Sequence, residues 1–309
     1  MKFIRVVALL VSMAAASTAS AAGPSAQAVP RAFLDVEYAN VNGESLRLDL
    51  YLPATEGPYP VIVSIHGGFW TEGTRDEGTA ILEIARGYAI ANIDYRLAPL
   101  STFPAQIEDC KAAIRWLRAH AAQYDLNGNA IAVMGYSAGG HLAALVGTTA
   151  GVDELEGPEE GNAGYSSRVQ AVVDYFGPTD LLKLAEEAPS CSPGDPNDPL
   201  APPSLLIGCA IQECPDKTEA ANPIRYVTPD DPPFLILHGT GDCIVPYQQS
   251  EDLFHALQMV GSDSKLLLYQ DFAHADDRFL DPSVQEQVDH FLDEKLKGIR
   301  MRRRGVRHY

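Results

Sequence analysis

Hydrophobic and polar positions along the chain follow two patterns. Short runs of β-branched and aromatic residues predict strands at 33–38, 46–52, 61–65, 89–95, 131–134, 171–176, 234–238 and 265–270. The first two alternate in polarity and flank Asn42-Gly43, a dipeptide typical of a tight hairpin turn. The later runs are more continuously apolar, which indicates parallel strands covered on both faces.

Helical periodicity fills the gaps between the predicted strands. Between residues 104 and 122, apolar residues spaced three and four apart form one stripe. Asp281-Pro282 is typical of a helix start and predicts a helix through about Lys297. Together these patterns predict an α/β fold with an eight-stranded, mostly parallel sheet flanked by helices.

One segment, about 181–223, departs from this alternation. It contains five prolines between residues 193 and 203 and three of the five cysteines, so it cannot form one regular helix. We expect a small lid insertion over one edge of the sheet and call these residues the lid segment; a passive surface loop is the alternative. No repeat or second domain is evident, and residues 22–309 are expected to form a single domain.

The N-terminus has the features of a signal peptide at residues 1–21. A basic start precedes an apolar run that is too short to span a bilayer, and Ala19-Ser20-Ala21 matches the small-residue cleavage pattern. A membrane anchor is the less favoured alternative. The sequence therefore predicts a secreted or periplasmic protein without stable membrane insertion.

Five cysteines in an exported chain predict disulfides and one remaining thiol. Cys209 and Cys214 are close in sequence and form the first candidate pair. Cys110, Cys191 and Cys243 compete for a second bridge, and the sequence alone does not decide between them.

The charge distribution limits the classes of partner. The chain has a formal net charge of −18, and its tail at 295–309 holds seven Lys and Arg residues and no acid, so the rest is strongly acidic. Such a body disfavours nucleic acid as a partner. The tail is expected to be a solvated, frayed terminus, with contact to an anionic surface as the alternative. Oligomeric state does not follow from the sequence.

A serine stands where a strand turns directly into a helix. The predicted strand at 131–134 continues into Gly135-Tyr136-Ser137-Ala138-Gly139 and an Ala/Leu-rich helical pattern. Such a sharp turn strains its apex residue, and flanking glycines let strand and helix approach closely. A functional Ser137 would stand at the carboxyl end of the sheet near free helix amides, whereas a purely structural turn is the alternative.

A second glycine motif ends an earlier strand. His66-Gly67-Gly68-Phe69-Trp70 follows the run at 61–65. Two adjacent glycines allow backbone amides to face a ligand without an intervening side chain. A simple turn is the alternative.

These two motifs, together with "DYRLAP" at residues 94–99, resemble the α/β-hydrolase fold. The similarity is to its esterase/lipase branch, with hormone-sensitive-lipase-like carboxylesterases and bacterial feruloyl and acetylxylan esterases, and it extends over about residues 32–297. The resemblance implies an oxyanion hole formed by the backbone amides of Gly68, Phe69 and Ala138. Phe69 stands where many relatives carry a third glycine. Trp70 and Tyr136 are expected to contact substrate.

A serine nucleophile requires a histidine base and a carboxylate that orients it. His274 follows the last predicted strand, whereas His238 ends the strand before it. The chain order serine, acid, histidine of this fold favours His274. Asp242, in a glycine-containing loop, is the favoured acid, and Asp180 is its rival.

The other histidines and nearby acids are assigned structural positions. We call residues 66–70 the oxyanion loop and expect His66 to have a structural hydrogen-bonding role in it, and His141 to be packed or solvated. The remaining assignments are helical positions for His120, His255 and His290, a place in the tail for His308, and solvated loop positions for Asp276 and Asp277.

These features predict an exported serine carboxylic-ester hydrolase that acts through an acyl-enzyme. Short-chain, acetyl or hydroxycinnamoyl esters, free or linked to a polymer, are the expected substrates. Zinc-type spacing, a P-loop lysine and a dinucleotide fingerprint are absent from the sequence, so no metal or cofactor is implied. The alternatives are a serine peptidase of the same fold and a non-catalytic binding protein.

Overall fold

The structure is a computed structural model that describes residues 30–78 and 80–299. The predicted signal peptide and residues 300–309 of the basic tail lie outside this part of the chain. Eight strands form one sheet in the order β1-β2-β4-β3-β5-β6-β7-β8. The strands are β1 (Arg31–Val41), β2 (Glu44–Leu52), β3 (Tyr59–Ile65), β4 (Ala89–Ile93), β5 (Leu126–Tyr136), β6 (Ala171–Tyr175), β7 (Phe234–Gly239) and β8 (Lys265–Tyr269).

Helices connect the strands and cover the sheet. The α-helices are α1 (Ala105–Ala119), α2 (Ala121–Tyr124), α3 (Ala138–Thr148), α4 (Leu184–Glu187), α5 (Pro202–Ile207), α6 (Pro215–Ala220), α7 (Gln248–Met259) and α8 (Pro282–Lys297). Short 3-10 helices occupy Arg75–Glu77, Ala80–Arg86, Asp153–Leu155, Pro158–Glu160, Leu181–Lys183, Pro223–Tyr226 and Asp277–Leu280.

The sheet confirms the predicted fold class. β1 and β2 form an antiparallel hairpin, β2 pairs with β4 antiparallel, and every other pairing is parallel. Asn42 and Gly43 have φ angles of 53° and 91°, as a hairpin turn with two left-handed positions requires.

Both faces of the central strands are buried. Along β3, Val61 and Val63 belong to one apolar cluster, whereas Ile62 between them belongs to the other. The first cluster includes Ile114 of α1, and the second includes Phe291 of α8. Burial on both sides explains why the parallel strands appear in the sequence as continuous apolar runs.

Some boundaries differ from the sequence prediction. β5 begins at Leu126, five residues before the apolar run, because Leu126 pairs with Tyr59 of β3. The predicted helix after Pro104 ends at Ala119, and α2 follows it as a separate turn. Asp281 occupies the N-cap of α8, but its side chain makes no capping hydrogen bond.

The lid segment lies between β6 and β7 and is broken, as its prolines predict, into α4, α5, α6 and short 3-10 turns. Two disulfides fasten it. Cys209 bonds to Cys214 within the segment, and Cys191 bonds to Cys243 in the loop after β7. Cys110, buried in α1, is the free cysteine.

Candidate active site

Ser137 lies at the apex of the turn from β5 into α3. Its φ and ψ are 56° and −118°, a conformation that is strained for a residue with a side chain. The flanking glycines are sterically required, since a Cβ on Gly135 would lie 2.1 Å from the carbonyl oxygen of Gly139. The Ser137 amide donates to the carbonyl of Tyr175 on β6 (2.9 Å), which fixes the turn against the sheet.

His274 bridges Ser137 and Asp242. Its Nε2 lies 2.9 Å from Ser137 Oγ, and its Nδ1 lies 2.6 Å from Asp242 Oδ2. An ionised carboxylate can only accept, so Nδ1 carries the proton and Nε2 is left to accept from the serine hydroxyl. Residues from three strand ends therefore form one continuous hydrogen-bonded chain.

The Asp242 carboxylate is buried and fully engaged. Its Oδ1 accepts from the amides of Ile244 (2.8 Å) and Val245 (2.9 Å). Burial opposes ionisation, but hydrogen bonds from His238 and His274 outweigh it and hold the pKa of Asp242 below its ordinary value. Asp242 is therefore an anion throughout the neutral range.

His238 is a second histidine on the same carboxylate. The ring is fully buried, with Nδ1 2.7 Å from Ser250 Oγ and Nε2 3.2 Å from Asp242 Oδ2. Sequence order excluded His238 as the base and gave it no other role. Its spacing of four residues before Asp242 is the signal that a tight turn could bring the two together.

Asp180 lies elsewhere, at the start of the lid segment. Its carboxylate accepts from the Leu182 amide (3.2 Å) and from Asn222 Nδ2 (2.9 Å), so it caps a 3-10 turn and joins both ends of the segment. The contacts of His274 favour Asp242 over Asp180 as the acid.

The loop after β3 brings Phe69 beside Ser137 and Ala138 on one cavity wall. In the part of the chain that the structure describes, neither the Phe69 nor the Ala138 amide has a hydrogen-bond acceptor. Gly68 has a different position: its carbonyl accepts from the Thr71 and Glu72 amides, and it does not line the cavity. Phe69 and Ala138 therefore lie on the cavity wall beside Ser137, and Gly68 lies outside it.

The cavity above Ser137 has a volume of about 450 Å³. Trp70 lines one wall, and Ile244, Val245 and Pro246 form a second wall. The lid segment supplies a third wall that is rich in proline, from residues 192–196, 198 and 200–203. Lining by these residues argues against a passive surface loop.

The structure places Tyr136 beside Tyr175, its register partner on β6. Tyr136 is not one of the described residues that line the cavity. Its ring stacks on the ring of Tyr175, with 4.2 Å between the ring centroids. Successive strand residues point to opposite faces, so the residue before Ser137 joins the aromatic core beneath the site. Phe176, which the sequence analysis did not single out, packs against the His274 ring at 4.8 Å.

Other predicted positions are now defined. His66 stacks on Tyr95, and burial lowers the pKa of His66. Asp276 is not the solvated acid expected from the sequence: its carboxylate accepts from the Ala273 amide and pairs with Arg278. The described residues hold no group of three or more His, Cys, Asp or Glu side chains suited to a metal ion, and none of their helices could cross a bilayer.

Comparison with known proteins places this arrangement in a family. Residues 48–257 match the family model described as BD-FAE, which covers more than half of the chain. The chain belongs to the BD-FAE family. The matched range includes β3 to β7 and the turn at Ser137.

Curated relatives of this BD-FAE protein are named as esterases. Esterase LipC of Mycobacterium tuberculosis is 36% identical over 208 residues, 66% of this chain and 49% of LipC. Isoprenylcysteine α-carbonyl methylesterase ICME of Arabidopsis thaliana is 30% identical, covering 82% of this chain and 59% of that protein. The chain thus spans roughly half the length of the curated relatives it matches.

Solved structures share the fold over almost the whole chain. A truncated carbohydrate esterase from gut microbiota has a TM-score of 0.80 at 30% identity and covers 89% of this chain and 99% of its own. Esterase 2 of Thermogutta terrifontis, solved with propionate bound, has a TM-score of 0.68 at 27% identity and covers 88% and 96%. Both neighbours are esterases by name, and the family and fold of this chain agree with the resemblance seen in its sequence.

Proposed function

We propose that this protein is an exported serine carboxylic-ester hydrolase. The observation that carries the proposal is the His274 imidazole held between Ser137 Oγ at 2.9 Å and Asp242 Oδ2 at 2.6 Å. Membership of a family whose named relatives are esterases supports the same reaction. No metal or cofactor takes part in this proposal.

The proposed reaction proceeds in two halves. His274 Nε2 takes the proton of Ser137 as Oγ attacks the ester carbonyl, and the imidazolium then protonates the leaving alcohol. Water, deprotonated by the same nitrogen, releases the acid from the acyl-enzyme. Asp242 stabilises the imidazolium, and the amides of Phe69 and Ala138 stabilise the oxyanion.

Short acyl groups or flat aromatic acyl groups are the proposed substrates, on a small or polymer-linked alcohol. The cavity walls are mostly prolines and aliphatic residues with Phe69 and Trp70 on one side, which suits a compact apolar acyl group. The neighbouring Thermogutta terrifontis esterase 2 was solved with propionate and with butyrate bound. The carbohydrate esterase neighbour supports a sugar-linked ester.

Export is part of the proposal. The two disulfides are compatible with an extracellular location, because thiols in the cytosol are kept reduced. Cleavage after residue 21 in secreted material, read by N-terminal sequencing, would test it.

Replacement of the nucleophile tests the proposed chemistry. We expect Ser137→Ala to lower kcat for p-nitrophenyl acetate by about 10⁴-fold or more while the melting temperature stays near that of the wild type. A fluorophosphonate probe should label Ser137 in the wild type and nothing in the variant.

A folded Ser137→Ala protein with full activity would refute the proposal. Matched anilide and ester substrates, run in parallel, separate an esterase from a peptidase: faster cleavage of the anilide would favour the peptidase alternative. Absence of turnover and of labelling in the folded wild type would favour a binding protein.

A further inference from the structure

One buried imidazole contacts three segments that form the candidate site. His141 lies one turn into α3, and its amide donates to the carbonyl of Ser137 (3.0 Å). Its Nδ1 is 3.1 Å from the indole Nε1 of Trp70, and its Nε2 is 2.7 Å from the carbonyl oxygen of Ala221. Trp70 belongs to the oxyanion loop, and Ala221 lies directly after α6 near the end of the lid segment.

The partners of His141 determine its protonation state. A carbonyl only accepts, so Nε2 must donate to Ala221. The indole Nε1 of Trp70 only donates, so Nδ1 must accept from it. Both bonds therefore require the neutral Nε2–H tautomer, and complete burial agrees with this, since it lowers the pKa of His141 to about 4.

The oxyanion loop requires such an anchor because its backbone is strained. Phe69 and Trp70 are consecutive non-glycine residues with φ of 57° and 60°, and each is disfavoured by its Cβ. Strained conformations persist only where surrounding contacts fix them. Trp70 has two such contacts: its carbonyl accepts from the Ala98 amide (2.8 Å), and its indole donates to His141.

We propose that His141 is a positioning residue for the oxyanion hole and couples that loop to the lid segment. Through Trp70 it fixes the preceding residue, Phe69, which lines the cavity beside Ser137. Through Ala221 the same ring binds the returning end of the lid segment. This inference rests on the proposed function, because it assigns His141 a part in stabilising the transition state of that reaction.

Two substitutions separate the two hydrogen bonds. Asparagine places an amide oxygen near the position of Nδ1, so His141→Asn keeps an acceptor for Trp70 and loses the bond to Ala221. Glutamine places an amide nitrogen near the position of Nε2, so His141→Gln keeps the donor to Ala221 and loses the acceptor. Trp70→Phe removes the indole donor itself.

We expect His141→Gln to lower kcat for p-nitrophenyl acetate about tenfold with KM changed less than about twofold, because the lost interaction acts in the transition state. His141→Asn should keep kcat within about threefold of the wild type and raise KM for aromatic acyl esters that reach the lid segment. The double variant Trp70→Phe/His141→Gln should lose no more kcat than the more impaired of the two single variants, because both substitutions break the same hydrogen bond between Trp70 and His141.

Thr148→Val is the matched structural control. It removes a buried side-chain hydrogen bond in the same helix, from Thr148 Oγ1 to the Ala144 carbonyl (3.1 Å). We expect Thr148→Val to lower the melting temperature about as much as the His141 variants do and to keep the kcat of the wild type. If His141→Gln does not fold, the test is made with Trp70→Phe instead. This variant should lose kcat, whereas Thr148→Val, compared at equal stability, should not.

Three results would overturn the inference: wild-type kcat in His141→Gln or Trp70→Phe, equal kcat losses in His141→Asn and His141→Gln, or fully additive losses in the double variant. Failure of the proposed function is a separate outcome, visible as retained activity in Ser137→Ala. If Ser137→Ala is inactive and His141→Gln is normal, only the role of His141 is wrong.

Discussion

At the scale of single residues, the site depends on buried polar groups whose partners fix their charge. Asp242 stays ionised because two histidines and two backbone amides contact its oxygens. Asp180 has a similar side chain in a different environment, where it caps a turn and binds Asn222. The environment, more than the residue type, assigns the two carboxylates different roles.

The pair provides a matched test of the acid. Asp242→Asn keeps the size of the side chain but favours the wrong tautomer of His274, so we expect turnover of p-nitrophenyl acetate to fall by up to about 10⁴-fold. Asp180→Asn should stay within about threefold of the wild type. The assignment would be reversed if Asp180→Asn proved the crippling change and Asp242→Asn retained activity.

Asp174 on β6 predicts a pH dependence of stability. Burial raises the pKa of Asp174 from 3.8 to about 7, and only the Gly177 amide bonds to its carboxylate in the described part of the chain. The unfolded state releases this proton near pH 4 and the folded state near pH 7, so the contribution of Asp174 to stability falls as pH rises through this window.

Asp174→Asn should remove this dependence because an amide does not ionise. The quantity to compare is the melting temperature of the variant minus that of the wild type. We expect this difference to be at least about 3 °C more positive at pH 8 than at pH 5, because a shift of one pKa unit corresponds to about 1.4 kcal/mol. Calorimetry at the two pH values measures this difference. An equal difference from the wild type at both values would show that the carboxyl does not titrate as described.

At the scale of elements, the lid segment is held at its beginning and in its middle. Gln249 of α7 is fully buried; its Oε1 accepts from the amides of Thr179 (2.7 Å) and Asp180 (2.8 Å), and its Nε2 donates to Glu187 (2.7 Å). Further along, the Cys191–Cys243 disulfide joins the segment to the residue directly after Asp242. The proline-rich cavity wall follows Cys191 in the chain.

The disulfides predict a difference between two pairs of variants. Cys191→Ser/Cys243→Ser frees the cavity wall from the Asp242 loop, so we expect the preference for acetate over longer acyl esters to fall at least about threefold in kcat/KM. Cys209→Ser/Cys214→Ser, which opens a short loop inside the lid segment, is the control and should keep the wild-type preference.

Mass mapping without reduction establishes the pairing first. It should show Cys191 joined to Cys243 and Cys209 joined to Cys214, with Cys110 as the free thiol. Unchanged acyl preference in the first pair of variants would show that this cross-link does not define the cavity.

At the scale of the whole molecule, the cavity is bounded by three parts that are distant in sequence: the oxyanion loop, the Asp242 loop and the lid segment. The lid segment contributes Pro193, Pro196, Pro202 and Pro203 together with the exposed acids Asp195 and Asp198. A stiff wall with acidic groups offers little continuous apolar surface to a long flexible chain.

The shape predicts selectivity for small acyl groups. We expect kcat/KM for p-nitrophenyl acetate or butyrate to exceed that for the palmitate ester by at least about tenfold, which corresponds to about 1.4 kcal/mol in transition-state binding. A series of aryl esters of increasing acyl length, with feruloyl and acetylated-sugar esters beside it, measures this preference. Better turnover of palmitate or of emulsified triglyceride would contradict both the cavity description and the proposed substrate class.

The sequence by itself determined the features that depend on local sterics and periodicity. Alternating and continuous apolar runs located all eight strands, and the glycines around Ser137 indicated a turn too tight for other residues. The chain order of the fold pointed to Asp242 and His274, which the structure brings into hydrogen-bond contact. The strand and turn signals lie within a few neighbouring residues, whereas the order of serine, acid and histidine along the chain was taken from the resemblance to the fold.

Only the tertiary structure decided which distant residues meet. In the structure the ring of Tyr136 packs against Tyr175, Cys191 is bonded to Cys243, and β5 begins at Leu126 because that residue pairs with β3. The structure also places His141 between Trp70 and Ala221, 71 and 80 residues away in the chain. Such contacts depend on how elements pack and on which buried donor finds which acceptor, and no local pattern of residues encodes that choice.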